Sequence, residues 1–347
     1  MRVFSIQICL WAAILVFPYA GYGQCCSGGV PISSSLGLAS RGAGSLQFQL
    51  TYDYNALRDW FDGANRRQRP HSDPIRTTQS VLLESNYDVS NAFAVSALFS
   101  LVRQERFTPK SNSLTQNDGI GDAIILFKYN LFHRNTNSPF RLSAGLGPKL
   151  PLASNDFTDN DSGLLLPADL QPGTGAWEAI SWTHLNYQPF MGSRPTFNLT
   201  SIITARYNFR GTRNNETQYY RFGQEVQFQL GASDRFVIGQ LLFDPSVMFR
   251  YRKVGRDYSA LVPRDPEAAD PNLLAFPNTG GDYVFLSPSL GVNLNPDLSF
   301  RISGDLPLYR KLIGSQVTTS YKLSASIYYS LSLSKDKSPK LLPNSKF

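Results

Sequence analysis

SLQFQLTYDYN, residues 45–55, decides the fold class: Leu46, Phe48, Leu50, Tyr52 and Tyr54 fall on one face of an extended chain, and Ser45, Gln47, Gln49, Thr51 and Asp53 on the other. A repeat of two is the period of a β-strand, because successive side chains point to opposite sides of the pleat. The pattern recurs along the chain. Phe140, Leu142, Ala144 and Leu146 alternate with Arg141, Ser143, Gly145 and Gly147, and Phe222, Val226, Phe228 and Leu230 with Arg221, Glu225, Gln227 and Gln229. Near the end, Tyr321, Leu323, Ala325, Ile327, Tyr329, Leu331 and Leu333 repeat it. Faces this strictly two-sided do not suit a parallel sheet covered by helices, whose strands read as continuous apolar runs.

The alternation predicts strands at roughly 45–55, 76–87, 92–107, 119–132, 140–150, 177–189, 196–210, 219–230, 236–252, 282–294, 298–308 and 318–333. Tight connections rich in Asn, Asp, Gly, Ser and Pro fall at 88–91, 133–139, 190–195, 231–235 and 295–297, where such residues supply turn geometry. Between them lie longer connections at 56–75, 108–118, 151–176, 211–218, 253–281 and 309–317. Short turns on one rim and long loops on the other, with an even strand number and both termini periplasmic, are the plan of an outer-membrane barrel. The expected fold is therefore all-β: a transmembrane antiparallel barrel of about 12 strands, with short periplasmic turns and long extracellular loops.

The start of the chain reads as an export signal. Arg2 supplies a charged start, Ile8 to Phe17 an apolar run, and Gly21, Tyr22 and Gly23 a small-x-small site before Gln24. The apolar run is well short of the ~20 residues that cross a bilayer as a helix. The expected organisation is a cleaved signal peptide at 1–23, a flexible Gly/Ser-rich segment at 24–44, a barrel at 45–333 and a C-terminal tail at 334–347. Export excludes the cytosol. The Gly, Gln, Arg and Glu of the polar faces suit a wet lumen, and Tyr52, Tyr54, Tyr129, Tyr207, Tyr219, Tyr220, Tyr251 and Tyr283 crowd strand ends, where interfacial girdles belong. The net charge of +7 comes from Lys and Arg scattered over loops and inner faces, without the stripe that nucleic-acid binding requires.

From Gly119 to Trp177 the chain carries Gly119-Ile120-Gly121-Asp122, Lys128-Tyr129, Gly145-Leu146-Gly147-Pro148-Lys149-Leu150-Pro151 and Asp169-Leu170-Gln171-Pro172-Gly173-Thr174-Gly175. In order and spacing this resembles the outer-membrane transporters named for the meta-pathway of phenol degradation, a family distantly similar to the long-chain fatty-acid and toluene porters. The resemblance implies an outer-membrane barrel that passes hydrophobic or aromatic small molecules. Its strand count departs from that of the fatty-acid porters, so their lateral-exit mechanism is not implied. Read physically, the glycines leave lumen space or let a segment approach, and Gln171 to Gly175 forms a tight turn.

Ionisable residues on the polar faces are Glu84, Asp122, Lys128, Arg141, Lys149, Glu178, Arg206, Arg221, Glu225, Arg301, Asp305 and Lys322. With both signs on neighbouring strands, a solvated, salt-bridged interior is expected ahead of a selective charged ring. The candidate ligand path comprises Leu164, Leu165, Leu166, Gln171, Gly173, Asp122, Lys128, Arg141, Lys149 and Glu225. A wholly exposed loop gains nothing from three adjacent leucines, so 164–166 are expected to fold inward or cap the lumen mouth as an apolar contact for cargo, or else to pack against neighbouring loops.

No enzyme is expected. His184 and Asn186 lie two apart on one strand, a spacing similar to the His and Ser of outer-membrane phospholipase A, yet Asn186 stands where the nucleophile is needed and cannot serve. His71 and His133 read as solvated. Asp159-Asn160-Asp161-Ser162-Gly163 has calcium-like oxygen spacing without the distal Glu of a full loop. Cys25 and Cys26 read first as a vicinal or intermolecular disulfide in an oxidising compartment and second as a soft-metal site; Cys9 lies in the signal.

The function expected is passive diffusion of small hydrophobic or aromatic molecules through an outer-membrane channel of a Gram-negative bacterium, without a cofactor. Outer-membrane lipid, a small hydrophobic ligand and the outer-membrane assembly machinery are the expected partners. The alternative is a non-conducting structural or docking barrel whose extracellular loops bind a partner.

Overall fold

The computed structural model describes residue 38 and residues 40–68, 74–131, 139–159, 163–189, 196–208, 212–215, 218–261 and 274–333. Twelve strands make the wall: β1 (Ser45–Asp62), β2 (Ile75–Asp88), β3 (Phe93–Thr108), β4 in two pieces (Ser113–Ile120 and Ala123–Asn130), β5 (Phe140–Leu150), β6 (Glu178–Tyr187), β7 (Asn198–Asn208), β8 (Glu225–Ser233), β9 (Leu241–Val254), β10 (Gly281–Asn293), β11 (Leu298–Leu312) and β12 (Ser315–Ser332). Each pairs antiparallel with the next, and β12 returns to β1, from Ser45 opposite Ser332 to Asp62 opposite Ser315. Closure leaves no edge, the condition for a sheet to cross lipid.

The two faces separate as the alternation requires. Leu50, Leu83, Phe99, Phe127, Leu146, Phe249 and Leu323 are exposed, whereas Gln47, Thr51, Asp53, Glu84, Asn86, Gln227 and Ser324 are buried. Exposed apolar side chains surround a buried polar interior, the inverse of a soluble domain, so the outer face meets lipid and the inner face the lumen. Aromatic pairs sit near the rims: Phe140 stacks on Tyr187 at 4.5 Å and Tyr54 on Tyr321 at 6.2 Å.

Several connections correct the expected plan. The one expected at 56–75 starts later, because β1 runs on to Asp62 and Asn65–Arg67 turns back to pair with its end. The loops expected at 108–118 and 309–317 are tight turns, because the flanking strands continue past the apolar band. Thr108 and Ser113 still pair across a turn with Asn112 at φ 50°, and only residues 313 and 314 separate β11 from β12, Gly314 at φ 74°. Polar strand ends above the membrane lose the alternation that marks them in sequence, which is why they read as loops. The turn expected at 231–235 lies further on: Phe236–Ile238 pairs with the start of β9, and the tip is at 239–240 with Gly239 at φ 64°. Finally, the strand expected from 219 is divided. Gln218–Arg221 leaves the barrel for a four-stranded sheet with Thr212–Asn215, Tyr258–Leu261 and Leu274–Ala275. The buried Asp257 carboxylate holds that departure, accepting the Gly223 amide at 2.9 Å and the Tyr220 hydroxyl.

The signal peptide, Cys25, Cys26, His71, His133 and the tail 334–347 lie outside the described residues. Of the Gly/Ser-rich segment, residues 38 and 40–44 are described and sit at the periplasmic mouth. The Arg41 amide donates to Asp88 Oδ2 at 2.8 Å, its guanidinium donates to Ser330 Oγ at 2.7 Å and lies over the Tyr328 ring, and Lys128 Nζ donates to the Leu38 carbonyl at 3.1 Å.

Candidate functional site

The lumen is lined from two kinds of side chain. On β2 to β6, Leu82, Leu98, Ile124, Leu126, Ile180 and Trp182 point inward and form one cluster, each at most 2% exposed. Lys128 lies over the Trp182 ring at 4.7 Å and 3.7 Å from Glu84. Alternation alone assigns every inner position to polar residues. The signal for this cluster is where alternation fails, in Val81-Leu82-Leu83, Ala97-Leu98-Phe99 and Ile124-Ile125-Leu126-Phe127. Consecutive apolar residues in a strand place one of them inward whatever the register.

Beside this cluster runs a chain of alternating charges. Asp122 accepts from Lys149 Nζ at 2.5 Å, Lys149 is 3.0 Å from Glu178, Glu178 is 3.9 Å from Arg206, Arg206 is 3.5 Å from Glu225, and Glu225 accepts twice from Arg252 at 2.9 Å. Lys149 stands directly opposite Glu178, and Arg206 opposite Glu225, so the pairs follow the strand register. Across the barrel, Arg250 meets Asp305 and Lys322 meets Asp53, both at 2.8 Å. The ion pairs expected from the sequence are present and neutralise one another along the wall, but Asp122, Lys149, Glu178, Arg206 and Glu225 are buried and not solvated as expected. Desolvated charges are stable in such a place only when paired.

The connection between β5 and β6 brings Leu166 and residues 168–174, all buried, into the lumen. Its two arms meet where Leu166 donates to the Phe157 carbonyl at 2.9 Å and Thr158 bridges Leu165. A short 3-10 turn, Ala168–Leu170, follows, and Gln171 to Thr174 then lies along the inner faces of β3 to β5. Gln104 Nε2 donates to the Gln171 carbonyl at 2.9 Å, Asn117 Nδ2 to the Leu170 carbonyl at 3.0 Å, and the Thr174 amide to Asp122 Oδ2 at 2.9 Å. The Gln171 side chain is turned back on the loop, donating to the Phe157 and Leu166 carbonyls, both at 3.0 Å. Gly173 is tightly enclosed between the loop and the wall: a Cβ there would lie 2.2 Å from Ala153 Cβ and 2.5 Å from Asp122 Oδ1. Only glycine fits a backbone pressed that near a side chain.

Asp169 anchors the turn. It pairs with Arg76 on β2 and accepts from Arg106 on β3 at 3.1 and 3.3 Å. Burial on its own pushes this carboxyl up, but the two guanidiniums outweigh it and hold the group below the usual carboxylate range.

The predicted path residues thus divide. Asp122, Lys149, Gln171 and Gly173 come together at the loop; Glu225 belongs to the ion chain on the neighbouring wall; Lys128 is deeper, beside the apolar cluster. Arg141 is not with them: it starts β5 at the periplasmic end and is exposed. Of the three leucines, Leu166 is buried, Leu165 half-buried and Leu164 70% exposed. Arg76, Arg106, Gln104 and Asn117 carry no motif in the sequence, and Thr174 stands there only within the run Asp169 to Gly175. His184 sits against Trp182 at 5.6 Å, and Asn186 donates to Thr200 at 3.2 Å. Among the described residues no group of three or more His, Cys, Asp or Glu is placed to hold a metal. Residues 160–162 of the calcium-like stretch lie outside them.

No family profile and no curated protein sequence matches the chain. Solved structures do. The COG4313 outer membrane channel from Pseudomonas putida F1 has a TM-score of 0.61 at 11% identity, over 86% of this chain and 99% of that one. The transport unit of the autotransporter AIDA-I from Escherichia coli has a TM-score of 0.48 at 9% identity, over 86% and 93%. For the TodX monoaromatic hydrocarbon channel the values are 0.45 and 12%, over 90% and 99%. The likeness to the first is one of fold, and the fold is that of an outer-membrane β-barrel, as the resemblance carried by the Gly119–Trp177 motifs implied.

Proposed function

We propose that this protein is an outer-membrane channel through which small hydrophobic or aromatic molecules diffuse passively. The observation that carries the reading is the pairing of a loop folded into the lumen with a buried apolar strip on the wall. Leu82, Leu98, Ile124, Leu126, Ile180 and Trp182 form a surface that a purely aqueous pore does not need. The loop above the strip is held by side-chain hydrogen bonds and ion pairs instead of by strand pairing, so it can leave without breaking the barrel. Transport then requires the loop to move and expose the strip. On this reading residues 1–23 are a signal peptide removed on export from a Gram-negative cytoplasm, and assembly machinery inserts the barrel.

A second reading has an observation of its own. The loop and the apolar cluster fill the lumen beside β2 to β6 with buried side chains, which also suits a non-conducting barrel whose loops bind a partner. Proteoliposomes separate the two. Entry of 1-naphthol at a rate well above that of protein-free vesicles is expected of the channel. Entry at the protein-free rate, together with no single-channel conductance, would leave the docking barrel.

A further inference from the structure

Arg76 and Arg106 stand directly opposite each other on β2 and β3, both facing inward. Like charges in that relation repel across the strands, and here they are 22% and 21% exposed, so water screens them only in part. The carboxylate between them comes from a loop, not from the wall. Two guanidinium forks are the geometry that reads a carboxylate through paired N–H donors. Next to the site the surface turns aromatic. Ala168, the neighbour of Asp169, is buried with Tyr220 and Phe222, whose rings meet edge-on at 5.0 Å, and Phe276 lies 5.8 Å from Tyr220.

We propose that Arg76 and Arg106 form a receptor for the carboxylate of an aromatic or otherwise apolar monocarboxylate, and that Asp169 occupies this receptor in the resting barrel. The proposal rests on the channel reading and deepens it by naming the class of cargo. Asp169 is tethered, and a tethered group competes at an effective concentration on the order of mM. An incoming carboxylate must therefore outcompete it, and in doing so frees the turn that Asp169 anchors. The ring or chain of the cargo meets the Tyr220, Phe222 and Phe276 surface while its carboxylate replaces that of Asp169.

Calorimetry on the folded full-length barrel in detergent tests this with benzoate, and with benzamide as its neutral counterpart. Asp169→Asn removes the built-in anion and should bind benzoate at least tenfold tighter than the natural chain, with no such gain for benzamide. Adding Arg106→Gln should abolish the gain. Equal benzoate affinity in the natural and Asp169→Asn chains, or an equal gain for benzamide, overturns the receptor. Should Asp169→Asn not reach the folded, heat-modifiable form, Arg106→Gln in the natural chain decides: a tenfold loss of benzoate binding supports the fork and unchanged binding overturns it. Uptake of neutral 1-naphthol by proteoliposomes is read separately. Uptake without any benzoate preference keeps the channel and overturns the receptor; benzoate binding that follows the arginines without uptake keeps the receptor and overturns the channel.

Discussion

Two ionic networks face one lumen and differ in what they tie down. The chain from Asp122 through Lys149, Glu178, Arg206 and Glu225 to Arg252 joins strands that are already hydrogen-bonded to each other. The clamp of Arg76 and Arg106 on Asp169 joins the wall to a loop. In the first, charges separate only if the ladder does, and the network is part of the frame. In the second, one partner hangs on a segment without strand pairing to the wall, and the same chemistry makes a reversible contact. Asp122 is where they meet, since it accepts from Lys149 and from the Thr174 amide of the loop.

The strongest test of this contrast removes one member of the frame. Lys149→Met leaves Asp122 and Glu178 buried without their shared cation, and breaking a buried pair from one side costs about 3–5 kcal/mol. The urea midpoint of the refolded barrel should fall accordingly. A loss below about 1 kcal/mol, the worth of a solvated surface pair, would show that the chain is solvated and not structural.

Loop variants should act on a smaller scale and leave the frame intact. Gly173→Ala forces a methyl group into Ala153 and Asp122, an overpacking that costs about 1–3 kcal/mol. Leu166→Ser removes a buried side chain whose burial is worth about 1.5–3 kcal/mol. Both should expose the loop to added protease while the heat-modifiable band of the barrel is unchanged. Loss of the folded band in either would mean that loop and frame are one cooperative unit.

Acid should separate the networks with a smaller effect again. The Asp169 carboxyl is held below its ordinary value of 3.8 by Arg76 and Arg106, so its folded pKa lies under its unfolded one. Its contribution to docking is then complete above that ordinary value and is lost only as pH falls through the lower, folded one. Protection of the loop should persist down to the usual carboxylate range and fail below it, and the Asp169→Asn chain should lack that step. A step at higher pH, or one retained in Asp169→Asn, would assign the release to another group.

How much of this could be read beforehand follows from where side-chain period carries information. The wall was legible because lipid outside and polar lumen inside impose alternation, most plainly at Ser45–Asn55 and Tyr321–Leu333. The extensions of β1, β4, β11 and β12 were not, because Ala56 to Asp62, Ser113 to Asp118, Tyr309 to Leu312 and Ser315 to Val317 stand where neither face needs to be apolar. The ion chain was foreseeable as opposite charges on neighbouring polar faces. The clamp was not, since Arg76 and Arg106 look like strand-end cations until register sets them opposite each other and the loop brings Asp169 between. Position in a long loop carries no periodic signal at all, and the three leucines show it: one is buried and one is exposed.

That difference between neighbours sets the smallest effect. Leu164 is 70% exposed and Leu166 is 3% exposed, although the sequence assigns both to an inward-folding apolar run. Leu164 contributes its amide carbonyl, which accepts from Asp159 at 2.7 Å, and that bond survives any change of side chain. Leu164→Ser should therefore alter loop docking by no more than about 0.5 kcal/mol, the range of ordinary surface substitutions. Protease protection and 1-naphthol uptake should match the natural chain, while Leu166→Ser exposes the loop. A changed uptake in Leu164→Ser with normal protection would be informative in the other direction. It would mean that the side chain, outside the packed loop at rest, meets the cargo once the loop has moved, and that the apolar run acts in the open state instead of the closed one.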